Sequence, residues 1–119
     1  MTCANMVEIG DNTAIAANVT ITDIHHPYKD VNLPIEQQDL EVLEVIIGKD
    51  CKIYNGAVIL PGVHIGNHVT IGANAVVNNN LPDYCVAVGS PARIIKRYNF
   101  DTKQWEKTDK NGNFLPKDN

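Results

Sequence analysis

Two adjacent histidines, His25 and His26, are the residues whose type most readily supports catalysis. They lie in "ITDIHHPYKD", residues 21–30, after Asp23 and before Pro27. An unperturbed histidine has a pKa of about 6.5, so a largely neutral imidazole can accept a proton from a hydroxyl near pH 7. Proline fixes its own φ and biases the preceding residue towards extended backbone. The segment predicts a general base, half of a metal site, or a polar turn.

The composition limits the classes of protein to consider. The 119 residues indicate one domain, and with only 6% aromatic residues its core must be aliphatic. A net charge of −4 argues against binding to nucleic acid. The sequence shows neither a membrane span nor a signal peptide, and its three cysteines form no C-x-x-C pair. We therefore expect a cytoplasmic protein with reduced thiols.

A six-residue repeat organises most of the chain. Apolar residues recur every six positions from Cys3 to Ile21 and again from Ile47 to Val77. Residues that tolerate positive φ, mostly Asn, Asp and Gly, stand three positions after most of these apolar residues. Small or β-branched residues stand four positions after, which puts them on the same strand face as the next apolar residue. An α-helix cannot satisfy this period, so the repeat predicts an all-β, parallel β-helix.

Spacing alone leaves open both the number of hexads in each coil and the handedness of the coil. With three hexads in each coil, residues 18 apart would share a wall. Val58 and Val76 would then face outward on one wall, and Lys52 and Thr70 on another. An outward apolar stripe indicates contact with another subunit.

The repeat is interrupted once. Ile21 and Ile47 are 26 residues apart, which is not a multiple of six, so residues 22–46 are predicted to leave the coil as a protruding loop. Long loops in compact domains are usually functional, and this one begins at the two histidines.

The chain is predicted to have two parts. Residues 1–98 form the repeat domain, which ends with a closing strand and a short basic helix within residues 84–98. Residues 99–119 form a polar C-terminal tail, either an exposed hairpin or a frayed end, with no assigned role.

Residues 7–98 resemble the hexapeptide-repeat acyltransferases, in particular the sugar O-acetyltransferase branch with the maltose, galactoside and nodulation-type enzymes. The likeness lies in the hexads, in His26-Pro27, in "VIIGKDCKIYNGAVILPGVHIGNHVTIGANAVV" and in "LPDYCVAVGSPARIIK". The resemblance implies a left-handed single-stranded β-helix with three hexads in each coil, a homotrimer, and active sites between subunits. It also implies acetyl transfer from acetyl-CoA to a hydroxyl of a saccharide.

The resemblance also implies which residues form the site. His26 falls on the catalytic histidine of the family. The positions that contact coenzyme A in the family correspond to Asn55, Ala73, Asn78, Asn79, Arg93 and Lys96.

The sequence departs from the family in three places. Relatives usually carry Thr-Lys at the position of Asn78-Asn79, and often Trp at the position of Lys52. They also begin with a helical segment and a further coil, so we expect either a fragment of a longer protein or a minimal member. The acceptor stays unassigned.

The expected mechanism is direct transfer. His26 takes the proton of the acceptor hydroxyl while its oxygen attacks the thioester carbonyl, and a backbone N–H stabilises the oxyanion. The histidine then returns the proton to the departing thiolate. No metal is expected in this chemistry.

Each of these residues also has a simpler interpretation. His26 is alternatively a solvated loop histidine, and His25 is a bystander beside it or a residue that orients it. Asp23 either orients a histidine or caps a turn. Cys51 stands at an inward position, where a buried, unreactive thiol is expected. The basic cluster around Arg93 either binds the phosphates of a cofactor or is solvated.

Two other functions stay open. The same fold supports trimeric zinc carbonic anhydrases, and His26, His64 and His68 supply three imidazoles. That class separates its later two histidines by five residues, whereas His64 and His68 are four apart, which turns one of them to the opposite strand face. The other alternative is a truncated, non-catalytic relative that keeps the trimer.

Overall fold

The computed structural model of the chain describes residues 6–116. Very short strands dominate it, because each hexad supplies only one pair of inward-facing residues before the next corner. The strands are β1 (Val7–Ile9), β2 (Ala14–Ile15), β3 (Thr20–Ile21), β4 (Ile24–His25), β5 (Glu41–Val42), β6 (Val45–Ile47), β7 (Lys52–Ile53), β8 (Val58–Ile59), β9 (His64–Ile65), β10 (Thr70–Ile71), β11 (Val76–Val77), β12 (Cys85–Val88), β13 (Arg93–Asn99) and β14 (Gln104–Lys107), with a 3₁₀ turn at Ile35–Gln37. No helix within residues 6–116 is long and apolar enough to cross a membrane.

Parallel pairing between successive coils stacks the strands into three walls. The first wall contains β1, β6 and β9, the second β2, β7, β10 and β12, and the third β3, β8 and β11. Thr70 pairs with Lys52, and Val76 with Val58. These pairs confirm the prediction that residues 18 apart share a wall, and hence three hexads in each coil. The fold is a left-handed parallel β-helix.

The repeat shapes the corners as predicted and fills the core from Ile21 onward, whereas Ile9 and Ile15 of the first coil are 37% and 38% exposed. The core is aliphatic, and the isoleucines Ile47, Ile53, Ile59 and Ile71 are fully buried within it. The residue three positions after the apolar marker has a positive φ at Asn12, Asn18, Asp50, Gly56, Gly62, His68 and Asn74. Asparagine, aspartate and glycine adopt this conformation at the lowest cost.

The predicted loop leaves the coil after β3. Its base is closed by antiparallel pairing of β4 with β5, in which Ile24 lies opposite Val42. The chain rejoins the first wall at Val45, just before the predicted boundary of residue 46. The loop exposes a set of large apolar side chains: Tyr28, Val31, Leu33, Ile35, Leu40, Val42 and Leu43.

The predicted short C-terminal helix is wrong. Residues 93–99 form β13, which pairs antiparallel with β12 and with β14 and extends the second wall. Ile94 is buried in the core in this arrangement, and β13 covers the edge that β12 would otherwise expose. β14 lies within the predicted polar tail, and the division of the chain at residue 98 stays a prediction.

Candidate active site

The loop holds the two histidines in different environments. His25 lies in β4, is half-buried, and packs edge-on against Tyr28 with ring centroids 6.5 Å apart. His26 follows β4 directly and its side chain is exposed. Of the two, His26 is therefore the more open to a substrate that approaches from solvent.

Asp23 anchors the loop at both ends. Its side chain is fully buried, and its Oδ2 accepts a hydrogen bond of 2.8 Å from the backbone N–H of Met6. Its backbone carbonyl accepts a second bond of 2.8 Å from the N–H of Leu43, where the chain returns. These bonds fix the exit and the return of the segment that carries His26.

Three of the six predicted coenzyme A contacts line one cavity of about 250 Å³. Asn78 and Asn79 follow β11 at the end of the third wall. The turn after β12 crosses over β11, where the N–H of Ala92 donates to the carbonyl of Val76 at 2.8 Å, and this crossing brings Arg93 beside the asparagines. The full lining is Asn78, Asn79, Pro91, Ala92, Arg93, Lys110 and Asn111.

This cavity and the loop lie on the same edge of the β-helix. The loop leaves after β3 and Asn78 follows β11, and both strands belong to the third wall with β8 between them. Neighbouring strands are about 4.8 Å apart, so the loop exit and the asparagines are separated by about 10 Å along the axis. The structure thus places the exit of the loop that carries His26 and a polar cavity at the same edge of the β-helix.

The other three predicted contacts lie elsewhere. Asn55 and Ala73 are exposed at the edge between the second and third walls, where the N–H of Asn74 donates to the carbonyl of Asn55 at 3.0 Å. Lys96 is exposed on β13 and lies opposite Val86. The six positions therefore occupy two edges and one wall of the chain.

Lys110 is a residue of this cavity that sequence reasoning missed. It precedes the Asn111-Gly112 pair, in a turn where the Asp109 carboxylate accepts hydrogen bonds of 2.9 and 3.0 Å from the N–H groups of Asn111 and Asn113. The bond from the Asn113 backbone holds the pKa of Asp109 below its ordinary value. The Asn-Gly pair signalled the turn, but the packing of this turn against β13 has no local sequence signal.

The described cysteines are unsuited to nucleophilic catalysis. Cys51 is 2% exposed, and its Sγ donates to the carbonyl of Gly66 at 3.2 Å, which confirms the predicted buried thiol. Cys85 is fully buried, and burial raises the pKa of its thiol to about 12. Both are free thiols, and the raised pKa keeps Cys85 protonated at neutral pH.

The raised pKa of Cys85 predicts a loss of stability at high pH. The folded thiol has a pKa of about 12 and its ordinary value is 9.0, so unfolding is favoured as pH rises above that ordinary value. We expect the free energy of unfolding, from urea titrations at about pH 8 and about pH 11, to fall more in the wild type than in Cys85→Ala. Equal losses in the two proteins would contradict the assignment.

The other two histidines, His64 and His68, lie beside a carboxylate and an aromatic ring. His64 is exposed, and its Nε2 lies 3.5 Å from Oε1 of Glu44. His68 stacks on Tyr84 with ring centroids 5.2 Å apart. Within residues 6–116, no three His, Cys, Asp or Glu side chains are grouped so that they could hold a metal ion.

Comparison with known proteins confirms the resemblance. The family model described as "Bacterial transferase hexapeptide (six repeats)" matches residues 44–79, and that described as "Hexapeptide repeat of succinyl-transferase" matches residues 7–23. The chain is similar to the "Putative lipopolysaccharide biosynthesis O-acetyl transferase WbbJ" of Escherichia coli K12, with 43% identity over 85% of this chain and 55% of the relative. It is 36% identical to the galactoside O-acetyltransferase of the same organism, over 83% of this chain and 48% of the relative.

Solved structures agree with these matches. The maltose O-acetyltransferase of Clostridium difficile superimposes with a TM-score of 0.71 at 42% identity, over 76% of this chain and 48% of that one. A galactoside acetyltransferase solved in complex with coenzyme A gives a TM-score of 0.71 at 32% identity, over 93% and 53% of the two chains.

The chain carries the repeat of the hexapeptide transferases, and its matches support the sugar O-acetyltransferase branch of that family. It spans about half the length of the curated relatives it matches.

Proposed function

We propose that this chain is the catalytic β-helix of an O-acetyltransferase that moves an acetyl group from acetyl-CoA to a hydroxyl of a saccharide. One observation carries the proposal: the loop that bears the exposed His26 leaves the coil at the edge that holds the cavity with Asn78, Asn79 and Arg93. Relatives named as O-acetyltransferases, and a neighbour solved with coenzyme A, support it.

His26 acts as the general base in this proposal. It takes the hydroxyl proton as the oxygen attacks the thioester carbonyl, and it returns that proton to the sulfur as coenzyme A leaves. Proton transfer by a positioned side chain typically contributes about 10²–10⁴-fold to a rate. The hydrogen bonds of Asp23 support this role, because they hold the ends of the loop that carries the base.

Cations and amides of the cavity bind the donor. Arg93 and Lys110 supply positive charge that suits the phosphates of coenzyme A, and Asn78 and Asn79 supply amide donors. Lys110 stands in for the lysine that relatives carry at the position of Asn79. Asn55, Ala73 and Lys96 contact more distant parts of the cofactor, in this subunit or across an interface.

The active protein is a homotrimer in this proposal. Val58 and Val76 form an outward apolar pair on the third wall, and the loop exposes further apolar side chains that a neighbour would cover. A loop that protrudes from the coil can then bring His26 to the cavity of the adjacent subunit. Sedimentation equilibrium should give three times the chain mass of 13.1 kDa, and a monomer would contradict the arrangement.

We place the enzyme in the cytoplasm. Cys51 and Cys85 are free thiols, which fits a reducing compartment. Acetyl-CoA as the donor fits the same compartment.

Mass spectrometry of the acceptor tests the proposed reaction. Incubation with acetyl-CoA and a panel of neutral saccharides should yield a saccharide with one added acetyl group, and the new ester should be lost on mild alkaline treatment. Release of free thiol without any acetylated saccharide would contradict transfer to a sugar hydroxyl.

A further inference from the structure

A second cavity in the described part of the chain lies away from the candidate active site. It has a volume of about 380 Å³, within the range of small-molecule sites. Its lining combines aromatic, acidic, amide and guanidinium groups, namely Asp83, Tyr84, Arg97, Tyr98, Asn99, Phe100, Asp101 and Phe114. None of these residues is used in the proposed acetyl transfer.

The β-helix repeat itself builds one side of this cavity. His68 and Tyr84 occupy equivalent corners of successive coils, where the N–H of Tyr84 donates to the carbonyl of Asn67 at 2.9 Å. Both residues have positive φ, 56° and 53°. This conformation costs a residue other than glycine or asparagine about 1–2 kcal/mol. A tyrosine therefore occupies a corner whose backbone conformation it does not favour.

The hairpin of β13 and β14 builds the other side. The ring of Phe100 packs edge-on against Tyr98 and Tyr84, with centroids 4.8 and 5.1 Å away. The cluster nevertheless stays open to solvent, since Phe100 is 63% exposed and Phe114 is 41% exposed. Aromatic rings fixed by edge-on packing and left uncovered form a ready platform for a ligand.

Arg97 brings unused hydrogen-bond donors to the same cavity. Among the described residues its guanidinium donates one hydrogen bond, from Nη1 to the carbonyl of Gly112 at 3.3 Å, and its Nε is buried without an acceptor. A guanidinium has five N–H donors, and those of the two terminal nitrogens that Gly112 does not use are left for a ligand. Asp83 and Asp101 line the cavity too, and their carboxylates supply acceptors and repel anions.

We propose that this cavity binds one unit of a neutral saccharide. A sugar presents C–H groups that suit the negative face of an aromatic ring. Its hydroxyls can donate to Asp83 and Asp101 and accept from Arg97. Two carboxylates beside one guanidinium disfavour phosphate-bearing ligands, coenzyme A included.

The proposed saccharide site is separate from the donor cavity, that is, the cavity of Asn78, Asn79 and Arg93 that is proposed to bind acetyl-CoA. Arg93 and Asn99 stand at opposite ends of β13, and each lines a different cavity. Six residue steps of about 3.3 Å put these ends about 20 Å apart. The site therefore binds a sugar unit distant from the reacting hydroxyl, and its binding does not depend on acetyl transfer.

Fluorescence of Trp105 provides a local test of this site. Trp105 is the only tryptophan in the chain, and its ring lies 5.6 Å from that of Tyr98. Titration with maltotriose, lactose and N-acetylglucosamine, without acetyl-CoA, should give a saturable fluorescence change with at least one of them. Phe100→Ala should weaken that binding about fivefold to tenfold. Tyr84→Asn, which suits the positive φ, should weaken it similarly without unfolding the protein.

Tyr28→Ala is the matched control, since Tyr28 is 60% exposed but lies on the inserted loop, and it should leave the titration unchanged. The proposal is overturned if none of the three sugars changes the fluorescence. It is also overturned if Phe100→Ala binds like the wild type, or if inorganic phosphate gives the same saturation. Failure here would leave acetyl transfer unaffected, and loss of acetyl transfer would leave this titration intact.

Discussion

Replacing His26 with alanine is expected to lower kcat for acetyl transfer by about 10²–10⁴-fold, because the acceptor hydroxyl loses its general base. The side chain is exposed on a loop whose ends are held by Asp23 and the pairing of β4 with β5. The substitution should therefore leave the circular dichroism spectrum and the unfolding midpoint unchanged. Steady-state assays of thiol release with saturating acceptor measure the effect.

His25→Ala is the matched control for this prediction. It removes the same imidazole one position earlier, from a half-buried residue of β4 that packs on Tyr28. Its kcat should fall by less than about tenfold, a loss that misplacement of the loop would explain. A similar loss in both variants, or full activity in His26→Ala, would rule out His26 as the base.

Replacing Arg93 with alanine is expected to raise KM for acetyl-CoA by about tenfold or more, with a smaller effect on kcat. Arg93 lines the donor cavity with Lys110, and hydrogen bonds to charged groups contribute about 1.5–3 kcal/mol each. An interaction that stabilises the bound donor and the transition state equally changes KM rather than kcat. Lys110→Ala should act in the same direction and more weakly, because an ammonium on a flexible stem binds as a point charge.

Lys49→Ala provides the control for the loss of one positive charge. Lys49 is exposed at a corner of the second coil and lines neither described cavity, so KM should be unchanged. Added salt should weaken acetyl-CoA binding more in the wild type than in Arg93→Ala, because the variant has one fewer positive charge for the salt to screen. A KM in Arg93→Ala equal to that of the wild type would place the donor elsewhere.

The repeat was predictable because residues close to one another in the sequence define it. An apolar residue every six positions and a turn-forming residue at each corner define the strands, the three walls and the outward pair Val58 and Val76 without any long-range contact. The loop was predictable for the same reason, since the break between Ile21 and Ile47 appears in the count itself.

The closing strand β12 was predicted, but β13 was not, because the residues of β13 alone do not show that they pair with the edge of β12. The basic residues after Ala92 are compatible with a helix, and only the free edge of β12 makes β13 a strand. Once that hairpin forms, it carries Lys110 to the asparagines and Tyr98 to Tyr84. Both cavities therefore contain residues that no local pattern would group.

Calorimetric titration of the purified protein with acetyl-CoA tests the central claim most directly. An acetyl-CoA-dependent transferase should bind the donor saturably, with one site per chain, and binding should weaken in Arg93→Ala and not in Lys49→Ala. The same experiment separates the enzyme from a non-catalytic relative that retains only the fold. Absence of any binding at millimolar acetyl-CoA would contradict the account.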